Sequence, residues 1–219
     1  MLRSARWSLV VAGLLTAHPA SGQALSGEAL VKALQHGGYV LVVRHASSPR
    51  EIPDRGSANP DNVNLERQLD EKGRKSATAM GGAIRALKIP IGAVLTSPTY
   101  RAQETVRLAR LPDPQPQVEL GDGGQNMQGV TQSQTAWLKN KVMEFPHGTN
   151  TILVTHLPNI SAAFPQWTTG LADGETLVFG PDAHGGAMVV ARITIEQWPR
   201  RTEPVAPPIA VAPGRAGGR

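Results

Sequence analysis

Five apolar or aromatic residues in succession, Tyr39-Val40-Leu41-Val42-Val43, break abruptly onto Arg44 and His45. A short continuous apolar run rich in β-branched residues predicts a strand buried on both faces. Ser47, Ser48 and Pro49 follow, and proline cannot continue a central strand. Arg44 and His45 are therefore predicted at the carboxyl end of a buried strand, where open α/β sheets place their ligands. Upstream, Leu25, Ala29, Leu30, Ala33 and Leu34 recur at helical spacing, and His36-Gly37-Gly38 stops them.

Further along, the same two periods alternate. Residues 46–68 are rich in Pro, Asn, Asp, Ser and Arg, too long and too polar for a plain connection. Within them Asp54, Asp61 and Asn62 read as turn formers. Asp70 caps a predicted helix whose buried face is Ala77, Met80, Ala83, Ile84 and Leu87, and Pro90 ends it. Ala93–Thr96 is a second strand, and Ser97-Pro98 starts a helix running to about Arg110, with the proline at its first position. Val118–Leu120 is a candidate short strand, Val130–Phe145 a helix, and Thr151–Thr155 a third clear strand stopping on His156. Asn159–Trp167 reads as a short helix, and Leu177–Phe179 and Ala187–Ile195 as the last strands. Strands alternating with amphipathic helices predict an α/β fold, a three-layer α/β/α sandwich with a mainly parallel central sheet.

The ends of the chain have a different composition. Arg3 and Arg6 precede the apolar run Trp7–Ala17, and small residues follow around Ala20-Ser21-Gly22. Residues 1–22 thus have the form of a secretory signal peptide. The run is too short for about 30 Å of hydrocarbon, so no membrane insertion is expected after its removal. Residues 199–219 are Pro, Ala, Gly and Arg, a composition that predicts disorder. One domain, residues 23–198, remains. The leader and the tail carry net +2 and +3 of the chain's +5, which leaves that domain neutral. The basic balance therefore gives no argument for nucleic-acid binding. There is no cysteine, which excludes disulfides, a cysteine nucleophile and thiolate metal sites. A periplasmic or secreted location is expected.

Three predicted strand ends carry ionisable groups: Arg44-His45, then Thr96 leading through Ser97-Pro98 to Arg101, then His156. A parallel sheet brings such ends together. Two arginines and two histidines at a helix amino end form an oxyanion pocket, because the guanidinium fork matches phosphate and the terminal N–H groups point outward. A neutral imidazole attacks phosphorus and carries the phosphoryl group, while the guanidiniums and a second, protonated histidine stabilise the equatorial oxygens. The adjoining arginines disfavour a metal, and no cofactor is expected.

Four segments carry a resemblance: Val42-Val43-Arg44-His45-Ala46, Gln68-Leu69-Asp70-Glu71-Lys72-Gly73, Leu95 to Thr105 through Ser97-Pro98 and Arg101, and Leu153-Val154-Thr155-His156. In this order they resemble the histidine phosphatase superfamily, the phosphoglycerate mutase-like group, and most of all its compact bacterial branch near the phosphohistidine phosphatases. The resemblance implies that His45 is the phosphorylated nucleophile and that Arg44, Arg101 and His156 bind the phosphoryl group. It points to Glu119, with Asp122 behind it, as general acid, and Asn159 joins the substrate-binding set. A small phosphorylated substrate is implied, hydrolysed as a phosphate monoester or phosphoramidate. A non-catalytic phosphate- or phosphosugar-binding envelope protein on the same fold is the alternative.

Overall fold

The computed structural model describes residues 24–49, 66–122 and 129–198. The predicted leader, the tail, and most of the polar loop with Asp54, Asp61 and Asn62 lie outside the described residues. The chain runs α1 (Gly27–His36), β1 (Val40–Arg44), α2 (Glu71–Ala86), β2 (Ile91–Thr96), α3 (Tyr100–Ala109) and β3 (Gln115–Pro116). It continues with α4 (Gln132–Lys141), β4 (Asn150–Thr155), α5 (Leu157–Ala163), β5 (Thr176–Pro181) and β6 (Ala187–Ile193). Among the described residues no helix is long and apolar enough to cross a membrane.

Among the described residues six strands form one sheet in the order β3-β2-β4-β1-β5-β6. The first four are mutually parallel, and β5 and β6 close the other edge antiparallel. Alternate side chains of the central strands enter separate cores. Leu41, Val43, Val94, Ile152 and Val154 pack with α1, α2 and α3 on one face. Val40, Val42, Leu95, Leu153 and Leu177 pack with α4 and α5 on the other. Every residue of β1 is buried, as a strand covered on both faces requires. The result is the three-layer α/β/α arrangement.

Register places the site. Arg44 lies opposite Thr155, and Thr96 opposite Val154, so β1, β2 and β4 end level with one another. His45, Ser97 and His156 follow at one edge. The helix α2 is fastened there too. Its N-cap Asp70 accepts from Gly73 N at 2.6 Å and from Ser47 Oγ at 2.7 Å, and Asp70 N donates to Ser47 O at 3.1 Å.

Three expected elements differ. Val118–Leu120 is a turn of 3₁₀ helix, and the edge strand is the two-residue Gln115–Pro116 just before it. Proline lacks the ladder donor and is confined to such an edge. Thr99, not Ser97, caps α3, which places Pro98 before the cap. The helix α5 starts at Leu157, directly after His156.

Candidate functional site

His45 leaves the centre of the sheet with its backbone held on both sides. Its N–H donates to Thr155 O at 2.9 Å, and its carbonyl accepts from Gly174 N at 3.0 Å. The ring is buried, and Nδ1 lies 2.8 Å from Ala46 O. A carbonyl only accepts, so Nδ1 carries the hydrogen and Nε2 keeps its lone pair. Burial first, then the neighbouring His156 and Arg101, push the His45 pKa well below the ordinary histidine value, and the Ala46 carbonyl opposes this only in part. His45 is a neutral imidazole with a basic nitrogen facing the site.

His156 has the opposite tautomer. Ser97 Oγ donates to Thr99 Oγ1 and accepts from Thr99 N, each at 3.2 Å. Its remaining capacity is as an acceptor, and His156 Nε2 lies 2.8 Å away. Nε2 therefore bears the hydrogen. Nδ1 accepts from Arg101 Nη2 at 3.2 Å. Burial and then the charges of Arg101, Arg67 and Arg44 hold the His156 pKa well below the usual range. The expected protonated second histidine is thus neutral, because it is buried among guanidiniums. The two rings meet edge to face with centroids 5.1 Å apart.

The arginines are anchored from behind. Arg44 Nη1 donates to Leu171 O at 2.6 Å, and Nη2 pairs with Asp173 Oδ1 at 2.5 Å. Arg101, 1% exposed in the first turn of α3, donates through Nη2 to Asp122 Oδ2 at 2.6 Å. The same oxygen stands 3.4 Å from His156 Nδ1. The site therefore brings together Arg44, His45, Arg101 and His156, from three strand ends and a helix start.

Two expected members are placed otherwise. Among the described residues the Glu119 carboxylate makes no contact with these four groups, and Asp122 is the carboxylate that touches Arg101 and His156. Asn159 is buried, and its Nδ2 donates to Gly121 O at 2.8 Å and Glu119 O at 3.3 Å. Both amide hydrogens are used on the backbone, so Asn159 holds the 119–121 turn. Gln134 Nε2 also donates to Gly121 O, at 2.9 Å, and Thr155 Oγ1 donates to Leu120 O at 2.7 Å.

Two functional residues escaped the sequence argument. Arg67 brings a third guanidinium, Nη2 lying 3.5 Å from His45 Nε2. Glu66, 4% exposed, accepts the Tyr100 N–H at the start of α3. The helix terminus expected to face an anion thus has an internal carboxylate on its first amide. Both residues sit at the end of the polar loop, where no period gives their direction away.

Comparison with known proteins places this arrangement. The family model described as the histidine phosphatase superfamily (branch 1) matches residues 40–120, which include Arg44, His45, Arg67 and Arg101. Among curated proteins none matches in sequence. Solved structures share the fold at low identity. YhfR from Bacillus stearothermophilus is 19% identical with a TM-score of 0.51, over 69% of this chain and 94% of its own. The SixA protein of Agrobacterium tumefaciens, assigned as a phosphohistidine phosphatase, is 15% identical with a TM-score of 0.51, over 72% and 99%. A phosphoserine phosphatase from Entamoeba histolytica, solved as a mutant with phosphoserine, is 12% identical with a TM-score of 0.50, over 73% and 98%. Residues 40–120 thus match the histidine phosphatase superfamily model, and the fold of the chain is the one that these solved structures share.

Proposed function

We propose that the chain is an exported, metal-independent phosphohydrolase of the compact branch near the phosphohistidine phosphatases. It would act on a small phosphate monoester or phosphoramidate through a phosphohistidine on His45. The observation that carries this is the neutral His45 ring, pinned by Nδ1 to Ala46 O, with Nε2 set among Arg67, Arg101 and His156.

In the first step the Nε2 lone pair forms a bond to phosphorus as the bond from phosphorus to the leaving oxygen or nitrogen breaks. The guanidiniums of Arg44, Arg67 and Arg101 take up charge on the equatorial oxygens. The leaving atom needs a proton. A proton taken up from solvent reaches it by way of Asp122, the carboxylate that touches Arg101 and His156. In the second step water forms a bond to phosphorus and gives up a proton to solvent, the P–N bond breaks, and phosphate leaves with His45 neutral again. Export rests on the leader-like composition of residues 1–22.

The test is turnover of an aryl phosphate and of a phosphoramidate by residues 23–219, with chelator present and His45→Ala alongside. Turnover that survives the chelator and is lost in the variant, with an acid-labile phosphoryl group trapped on the wild type, is the expected result. Activity abolished by chelator would overturn the metal-free mechanism. No turnover by the wild type on either substrate would favour the binding-protein alternative.

A further inference from the structure

Asp122 is the only carboxylate among the described contacts that touches two of the groups expected to grip a phosphoryl oxygen. Its Oδ2 is 2.6 Å from Arg101 Nη2 and 3.4 Å from His156 Nδ1. A phosphoryl oxygen seeking a charge-assisted bond from Arg101 Nη2 would need the same seat, since such bonds are about 2.7–2.9 Å long. Two oxygens cannot occupy it together. Asp173 differs: it touches Arg44 alone, and Leu171 O shares that guanidinium, so it anchors the arginine without bridging two ligand groups.

The seat is built. Three side chains from three elements, Gln134, Thr155 and Asn159, hold the backbone of Leu120 and Gly121 just before Asp122. The backbone is thereby fixed, and the side chain is 19% exposed. The exchange is internal: an aspartate leaves the guanidinium as a phosphoryl oxygen arrives.

We infer that Asp122 sits where a phosphoryl oxygen would bind and competes with phosphate for Arg101, setting how tightly the site holds anions. This rests on the phosphatase reading above. Its chemical consequence is on the product side. Three guanidiniums around a bound phosphate would hold the product strongly, and a built-in competitor loosens it, so that release does not limit turnover. The same competition favours substrates with contacts beyond the phosphoryl group over bare inorganic phosphate.

The test is calorimetric titration of orthophosphate and of vanadate into the wild-type protein, Asp122→Asn, Asp122→Ala and Asp173→Asn, at fixed pH and ionic strength, with thermal melts of each. Removing a competing charge-assisted bond is expected to tighten phosphate by about tenfold or more in both Asp122 variants. Asp173→Asn, which frees Arg44 from its anchor, is expected to bind no tighter than wild type. A gain in affinity is a result that mere loosening of the site does not give. Unchanged or weaker phosphate binding in both folded Asp122 variants, with the wild type binding, overturns the inference alone. Failure of every protein to bind either anion overturns the inference and the phosphatase reading with it.

Discussion

At the scale of single residues, the site separates two histidines by hydrogen-bond partners. His45 gives its Nδ1 hydrogen to a carbonyl, and His156 gives its Nε2 hydrogen to Ser97 Oγ. Burial and surrounding cations keep both neutral. A ring-proton NMR titration, with resonances assigned from His45→Asn and His156→Asn, is therefore expected to show neither ring protonating as pH falls through the ordinary value of about 6.5. Titration of either ring at or above that value would remove the neutral-nucleophile argument. The sequence shows which residue types meet here, because Arg44, His45 and His156 terminate apolar runs whose ends a parallel sheet aligns. It does not show their protonation, which depends on what faces them across the site. Nor does it distinguish Glu119 from Asp122, since a 3₁₀ turn and an extended strand send the following side chains in different directions.

At the scale of elements, α2 and α3 approach closely at Gly81. A Cβ placed on Gly81 would lie 1.8 Å from Ala109 O, which is backbone and cannot swing aside. Arg85, one turn further along α2, donates to that same carbonyl at 2.6 Å. Gly81→Ala therefore has to push apart the two helices that carry the site's arginine and fasten the chain after His45. The overpacking is expected to cost about 1–3 kcal/mol or more, read as a lowered midpoint in urea unfolding, whereas Gly82→Ala, with open space around it, is expected to cost nothing. Equal midpoints for the two variants would show that the helices adjust. This contact explains what was legible in the elements and what was not. Apolar periodicity located α2, and its cap at Asp70 is where the sequence puts it, because Asp70 bonds its own helix locally. The start of α3 was misjudged by local chemistry: Ser97 is a good cap by type, but its hydroxyl is committed to Thr99 and His156, and Thr99 takes the cap position.

At the scale of the whole molecule, placing two uncharged histidines in the interior links stability to pH. In the folded protein their pKa values lie well below 6.5, whereas in the unfolded chain they are near it. Below about pH 6.5 the unfolded chain therefore binds more protons than the folded one, and protonation pulls the equilibrium toward unfolding. The sign is thus fixed: stability is full above about 6.5 and is lost as pH falls toward the folded values, at up to about 1.4 kcal/mol per pH unit for each ring. Asp70 acts elsewhere. Burial works against its ionisation, but the Gly73 N–H and the Ser47 hydroxyl outweigh this and lower its pKa, so its contribution is lost only as pH falls below about 4. The window from pH 6.5 to 5 consequently reports the histidines. Urea unfolding at pH 7.5, 6.5, 5.5 and 5.0 is expected to give a falling free energy across that window and a shallower fall in His156→Gln. A flat profile in the wild type would mean that the site admits protons without strain, and it would count against the buried, cation-lined interior on which the neutral His45 depends.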